Sequence, residues 1–324
     1  FYELSLQLWE GLEQDLNYNA MVSQRGILNL FHTDAQRDAS IRRGNAMLLN
    51  GADADLLTTE QIKNRYPFLN TDDARFPIKG GLAQHRGGTV RHDAVAWGYA
   101  RAASRLGVDI IQQCEVTGIR KNGSQVIGID TSRGFIQTEK VGAVVAGHAS
   151  VLAEMAGIRL PLESHPLQAY VSEPLKPILD TVIMSNAVHG YISQSDKGEL
   201  VIGAGIDPYL GYGQKGSFCT IEHCMQAIVA LFPSFSRVRM LRQWGGIVDI
   251  SPDACPILSK TPIKGLYFNC GWGTGGFKAT PGSGWVFAHT IANDQPHHLN
   301  APFSLDRFST GALIDEHGAA AVAH

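Results

Sequence analysis

The feature that most narrows the choice of fold is short: VGAVVA at residues 141–146. Six small or branched apolar residues in a row show no alternation. A strand made from them is hidden on both faces, as strands are in a parallel sheet covered by helices. Gly147 follows, and a helical pattern resumes at residues 150–156. Strand, glycine turn and helix in that order form the unit of an α/β nucleotide-binding domain, whose ligand lies beyond the carboxyl ends of the strands. The same texture returns late in the chain. Residues 265–270 (GLYFNC) read as a strand, a glycine-rich loop follows, and residues 282–293 read as a helix.

The middle of the chain reads differently. HPLQAYVSEPL, AVHGYISQS, ELVIGAGID and RMLRQWGGIVDIS alternate or run short between Gly, Pro and Asp, which is the pattern of a mostly antiparallel sheet. One helix, residues 220–231, interrupts it. Earlier in the chain, residues 2–16, 34–50 and 58–66 read as helices and 24–31 as a strand. Asp34 is placed to cap the second helix. Thr58 and Gln61 form a capping box for the third, which stops before Pro67. Residues 80–90 read as a glycine-rich connection. RHDAVAWGYARAASRLGVDI, residues 91–110, reads as a helix capped by Asp93 and ended by Gly107 that runs into a strand at residues 108–112. Residues 115–121, 125–131 and 135–139 read as a meander turning at Asn122-Gly123 and Arg133-Gly134. The expected class is α/β + α+β, a nucleotide-binding domain interleaved with an antiparallel-sheet domain.

Composition excludes several functions. Of 324 residues, 44% are hydrophobic and 18% charged, the profile of a well-packed globular chain. A net charge of -3 leaves no basic footprint for nucleic acid. No apolar window is long enough to suggest a membrane span. The five cysteines, Cys114, Cys219, Cys224, Cys255 and Cys270, include no CxxC pair. Reduced thiols and a cytoplasmic location are therefore expected. Cys219, His223 and Cys224 share one helix but lack a second ligand pair, so no metal is expected. Acidic residues within the first sixteen argue against a signal peptide. Phe1 opens inside a helical pattern without Met, so the natural N-terminus is expected to lie upstream.

Two stretches match G-x-G-x-x-G. GYGQKG, residues 211–216, lies past Pro208, with no acidic residue ending a second strand, and reads as a surface turn. GWGTGG, residues 271–276, sits between strand and helix, but no further βαβ unit follows and the helix is expected only after Pro281. It is not a dinucleotide fingerprint. Its glycines either form a plain tight turn or let backbone N–H groups approach a flat ligand. Lys278, beside Phe277, is placed to hold an anionic group; a solvated surface lysine is the ordinary alternative. His92, judged on its neighbours alone, is a loop histidine at a helix mouth.

A resemblance sharpens these readings. RQWGGIVDISPDACPILSKTPIKGLYFNCGWGTGGFKATPGSGWVFAHTIA, residues 242–292, resembles the C-terminal part of the D-amino-acid oxidase/glycine oxidase family of FAD-dependent amine oxidoreductases. There, a PD..P turn precedes a strand and a G..G.GFK..P..G loop under the flavin ring. VGAVVAGHAS resembles that family's third nucleotide-binding segment, near the FAD adenosine. RHDAVAWGYARA and FSLDRFSTGALIDEHGAAAVAH look like one branch of the family, the β subunits of heterotetrameric sarcosine oxidases.

The resemblance implies noncovalent FAD contacted by Val116, Ala146, Gly147, Gly271, Gly273, Gly275, Gly276, Phe277 and Lys278, with Lys278 pairing the substrate carboxylate. It implies an FMN attached covalently to His92, and tetrahydrofolate and NAD in the partner subunit. Sarcosine is the implied small amine substrate, and alpha, gamma and delta subunits are the implied partners. Residues 71–160 and 245–324 are expected to form the FAD-binding domain, and residues 1–70 and 161–244 the substrate domain. The family's strand–GxGxxG–helix unit and its carboxylate-binding arginine are not in the sequence; both would precede Phe1. The flavin-linking cysteine of monomeric relatives falls at Gly246, and their oxygen-activating lysine at Val201. Both changes suit a noncovalent FAD that passes electrons on. Arg91 either helps bind phosphate or is simply solvated. Alternatives are a heteromeric relative oxidising proline or dimethylglycine, and a non-catalytic chain that only binds partners.

Overall fold

The computed structural model describes residues 1–72, 75–185 and 190–314. The first helix, α1 (Tyr2–Leu16), buries Ser5, Trp9, Leu12 and Leu16, steps of four, three and four residues that make one helical stripe. Asn17 ends it in the left-handed conformation. Strand β1 (Ile27–Phe31) leads to α2 (Asp34–Leu49). The cap of α2 is Thr33, whose hydroxyl accepts from the Gln36 N–H. Asp34, expected as the cap, is instead the first helical residue and pairs with Arg37 and Lys79. Strand β2 (Asp55–Thr58) runs into α3 (Thr59–Arg65), and the Thr58–Gln61 capping box forms as its sequence indicates. Thr58→Ala is expected to lower unfolding free energy by about 1 kcal/mol, read as a lower urea midpoint at an unchanged slope.

The glycine-rich connection is in part a strand. Gly80–Gln84 forms β3, antiparallel to both β1 and β2 and almost wholly buried. Its glycines admit neighbours rather than break the strand: a Cβ on Gly80 would lie 2.5 Å from the Phe31 ring. Helix α4 (His92–Arg105) begins at His92 itself, with Arg91 at the cap position and no side-chain cap. Asp93 lies inside the first turn and does not cap. The helix gives way at Leu106 and Gly107, the latter at φ +87°.

The strand expected at residues 108–112 is absent. Val108, Ile110 and Ile111 are about half exposed, and no described strand pairs with them. A strand needs a neighbour to take its backbone groups. The meander forms as β4 (Val116–Asn122), β5 (Gln125–Thr131) and β6 (Gly134–Gln137). Strand β7 covers only Val141–Ala143. Val144 is exposed and Ala146 takes a positive φ of 46°, so the apolar run leaves the sheet three residues early. Helix α5 (Ala149–Met155) follows.

Strands β8 (Glu163–Pro174), β9 (Val182–Ser185), β10 (Gly190–Gln194) and β11 (Glu199–Ile206) lead to α6 (Phe218–Leu231). Part of the segment AVHGYISQS lies outside the described residues. Strand β12 (Met240–Ile250) pairs with β8 along most of its length. Strands β13 (Ile257–Lys260) and β14 (Leu266–Cys270) precede α7 (Gly276–Asn293), and α8 (Arg307–Thr310) is the last helix described. Helix α7 starts directly after the glycine loop, six residues earlier than expected, with Pro281 inside it.

Among the described residues there are three sheets. The large one has the order β12-β8-β11-β10-β9-β1-β3-β2, the second β13-β14-β7, and the third β4-β5-β6. Leu28, Leu30, Ile183, Ile192 and Ile202 of the large sheet pack with Ile62 of α3 and Ile228 and Leu231 of α6. Strands β3 and β12 both belong to this sheet, so it extends across the divisions expected at residues 71 and 245. Helix α1 packs on α7 and on α4. Among the described residues, no helix is long and apolar enough to cross a membrane.

Candidate functional site

Strands β7 and β14 are parallel, Leu266 opposite Val141 and Phe268 opposite Ala143. Each ends in a glycine turn, and the two turns converge on one strand. Gly147 lies against Ile247 of β12, where a Cβ would meet the Ile247 side chain at 2.3 Å. The Gly147 carbonyl accepts from the Ser164 hydroxyl at 2.7 Å. Two residues along β12, the buried Asp249 carboxylate accepts the Gly271 N–H at 2.5 Å. Gly271 has φ +73° and Gly273 φ +50°, both in the left-handed region that glycine enters without strain. Gly273–Gly275 makes one 3₁₀ turn and α7 begins at Gly276.

This turn borders a hollow lined by Ile206, Ile250, Ala254, Gly271, Trp272, Gly273 and Thr274. The Trp272 indole is fixed by its N–H, which donates to Asn269 Oδ1 at 2.6 Å. No acidic side chain lines the hollow. Its walls are mostly apolar side chains and glycine backbone, and its volume of about 10 Å³ has room for about one water molecule. Burial, with the Asp249 carboxylate nearby, pushes the Cys270 thiol well above its ordinary range. Burial likewise pushes Cys224 up to about 12. Both are unreactive core thiols. Among the described residues, no group of three or more His, Cys, Asp or Glu could hold a metal ion.

Phe277 and Lys278 occupy the first turn of α7. Phe277 is about half exposed and rests on the Trp9 ring, centroids 5.6 Å apart. The Lys278 ammonium lies 4.9 Å from the centre of the Tyr2 ring. The structure therefore groups Ala146 and Gly147 with Gly271, Gly273, Gly275, Gly276, Phe277 and Lys278 around β12 and the start of α7. Val116 is set apart: it starts β4, opposite Thr131 in the meander. His92 is exposed at the first turn of α4. That helix packs on α1 through Val95, which clusters with Trp9, Leu12 and Leu16. Arg91 grips Asp93 through two contacts of 3.1 and 3.0 Å, so its fork is already engaged. That pairing, with the Ala94 N–H, holds the Asp93 carboxyl below its usual range.

Sequence reasoning missed Asp249, Trp272, Ile206, Ile250 and Ala254 as site residues, and the part α1 plays in the site. The glycine pattern GYGQKG is an irregular, mostly exposed segment whose Gln214 carbonyl accepts from the Gly245 N–H. At the strand thought to matter for oxygen chemistry, it is Ile206 that borders the hollow; Val201 lies five residues away, opposite Ser193 and Val171.

A sequence profile of the DAO family, FAD dependent oxidoreductases, matches residues 1–290. The sarcosine oxidase subunit beta of Rhizobium meliloti (strain 1021) is 62% identical over 318 residues, 98% of this chain and 76% of that protein. The sarcosine oxidase subunit beta of Arthrobacter sp is 60% identical over 324 residues, 100% of this chain and 80% of that protein. Among solved structures, L-proline dehydrogenase from P. horikoshii superposes with a TM-score of 0.90 at 21% identity, covering 97% of this chain and 83% of that one. Glycine oxidase from Geobacillus kaustophilus gives 0.83 at 22%, covering 94% and 81%. With its parallel strands and glycine turns in the arrangement described, and relatives matched over nearly its whole length, the chain belongs to the DAO family of FAD-dependent oxidoreductases.

Proposed function

We propose that this chain is the amine-oxidising subunit of a multi-subunit sarcosine oxidase. The observation that carries the reading is a single cationic side chain, Lys278, one turn into the helix that leaves the glycine hollow. Relatives of 62% and 60% identity that are named sarcosine oxidase subunit beta give it a substrate. Lys278 is a point charge for the substrate carboxylate. Gly273 and Gly276 offer backbone donors where negative charge develops on the cofactor, the role of a preorganised dipole array; the Gly275 N–H is taken by the Trp272 carbonyl. The Gly147 and Gly271 turns would hold FAD through backbone, with Ile247 and Leu162 packed where a side chain on each glycine would sit. No general base is assigned, because a substrate amine that arrives deprotonated needs none.

FAD, when bound, would supply a two-electron acceptor; His92 would hold an FMN covalently, a group that would supply electron passage to oxygen and so hydrogen peroxide, and a partner subunit would hold tetrahydrofolate as the one-carbon acceptor. Two experiments test this. Anaerobic addition of sarcosine, proline or dimethylglycine to the complete complex identifies the substrate by which amine bleaches the FAD; bleaching by proline alone moves the assignment to a proline dehydrogenase, and bleaching by none supports a partner-binding role. His92→Ala, made in the same complex, is expected to abolish acid-stable flavin. One covalent FMN per complex retained in that variant ends the His92 assignment.

A further inference from the structure

Helix α7 carries Pro281 as its sixth residue. Proline has no N–H, so the Phe277 carbonyl loses its ladder partner just where Lys278 must be held still. Support arrives from outside the helix. Ser5 Oγ, fully buried, donates to the Lys278 carbonyl at 2.7 Å and accepts from the Gly282 N–H at 3.4 Å. The Trp9 indole N–H donates to the same carbonyl at 3.0 Å. The Tyr2 ring lies under the Lys278 ammonium at 4.9 Å. Tyr2, Ser5 and Trp9 are spaced i, i+3 and i+7, so they form one face of α1. The approach is close: a Cβ on Gly282 would sit 3.0 Å from Ser5 Cβ, and one on Gly275 would sit 2.9 Å from the Tyr2 hydroxyl.

We infer that the Tyr2–Ser5–Trp9 face of α1 positions Lys278 for a carboxylate-bearing substrate, fixing its backbone through Ser5 and Trp9 and its ammonium through Tyr2. These residues act through Lys278 and are not themselves catalytic. A ring face attracts an ammonium more weakly than a charge-assisted hydrogen bond does. The inference rests on the reading of Lys278 as the carboxylate partner.

The test uses the complete flavin-loaded enzyme and sarcosine. Ser5→Ala is expected to raise KM roughly five- to tenfold, one hydrogen bond's contribution, while kcat stays within about twofold. Trp9→Phe keeps the ring against Phe277, removes only the donor, and shifts KM the same way; it stands in if Ser5→Ala does not fold. Tyr2→Leu raises KM, and Tyr2→Phe restores most of that loss because the ring remains. In a Lys278→Ala background, Ser5→Ala adds no further change in KM. Persistence of the full Ser5 effect in that background, or equal changes in kcat and KM, indicates general packing and overturns the inference. A Lys278→Ala effect with no Ser5 or Trp9 effect overturns this inference alone. An unchanged KM in Lys278→Ala overturns the carboxylate reading and this inference with it.

Discussion

On the proposed reading, Lys278→Met lowers kcat/KM for sarcosine by about a hundred- to a thousandfold, ~3–4 kcal/mol, because the lysine, exposed in the free chain, is covered together with the substrate carboxylate once cofactor and substrate are bound. Methionine keeps the length and most of the packing of the lysine stem while removing the charge. The measurement is the rate of FAD bleaching against sarcosine concentration, with melting temperature followed alongside to separate loss of the site from loss of the fold. An amine without a carboxylate should lose far less. A Lys278→Met enzyme within about threefold of wild type on sarcosine, a change too small for a lost charge pair, would place the carboxylate elsewhere.

Arg307→Met lowers the unfolding free energy by about 3–5 kcal/mol, as expected when one partner of a buried ion pair is removed. Arg307 Nε lies 2.7 Å from Asp253 Oδ2, Nη2 lies 2.9 Å from Oδ1, and both side chains are almost fully buried. The guanidinium also donates to the Ser304 and Cys255 carbonyls, and Asp253 accepts from the Ser251 hydroxyl and the Ile314 N–H. This clamp joins the turn before β13 to α8. A loss of that size is a large part of a typical net stability of about 5–15 kcal/mol. Burial alone would raise the Asp253 carboxyl; Arg307 and the Ile314 N–H outweigh it and hold the group down at about 2. Its contribution is therefore complete above the ordinary aspartate range and is lost as pH falls toward 2. In Arg307→Met the carboxyl no longer has its cation and protonates sooner. The stability gap between variant and wild type should be widest near neutrality and narrow as pH drops from about 5 toward 3. Urea melts across that range measure it. A gap that does not change with pH would mean that Asp253 is not the group responsible.

Local signals in the sequence were legible where they were also sufficient. The capping box at Thr58, the left-handed turn at Gly107 and the β4-β5-β6 meander each depend on residues within a few positions of one another. The failures share a different cause. Gly80 and Gly81 look like breakers until Phe31 and Leu28, some fifty residues earlier, are seen to need the room. Pro281 looks like a helix start because its cost is offset by α1, which no local window contains. The apolar VDIIQ run has strand composition but no described neighbour to pair with. The glycine hollow and Lys278 were visible as a motif. Asp249 was not, since a carboxylate in an alternating strand reads as a solvent-facing residue until the Gly271 N–H is found against it.

The crossing of α1 and α7 also bears on how the chain is made. Ser5 and Trp9 stand 273 and 269 residues from Lys278, the residue they hold. At synthesis rates of about 5–20 residues per second, that separation corresponds to on the order of tens of seconds. For that interval the buried face of α1, with its hydroxyl and indole donors, has been made while its partner has not. A nascent chain of this kind has α1 as a late arrival to the folded state, and slowing of translation late in the message would lengthen the period in which that face is open to chaperones or to misassembly.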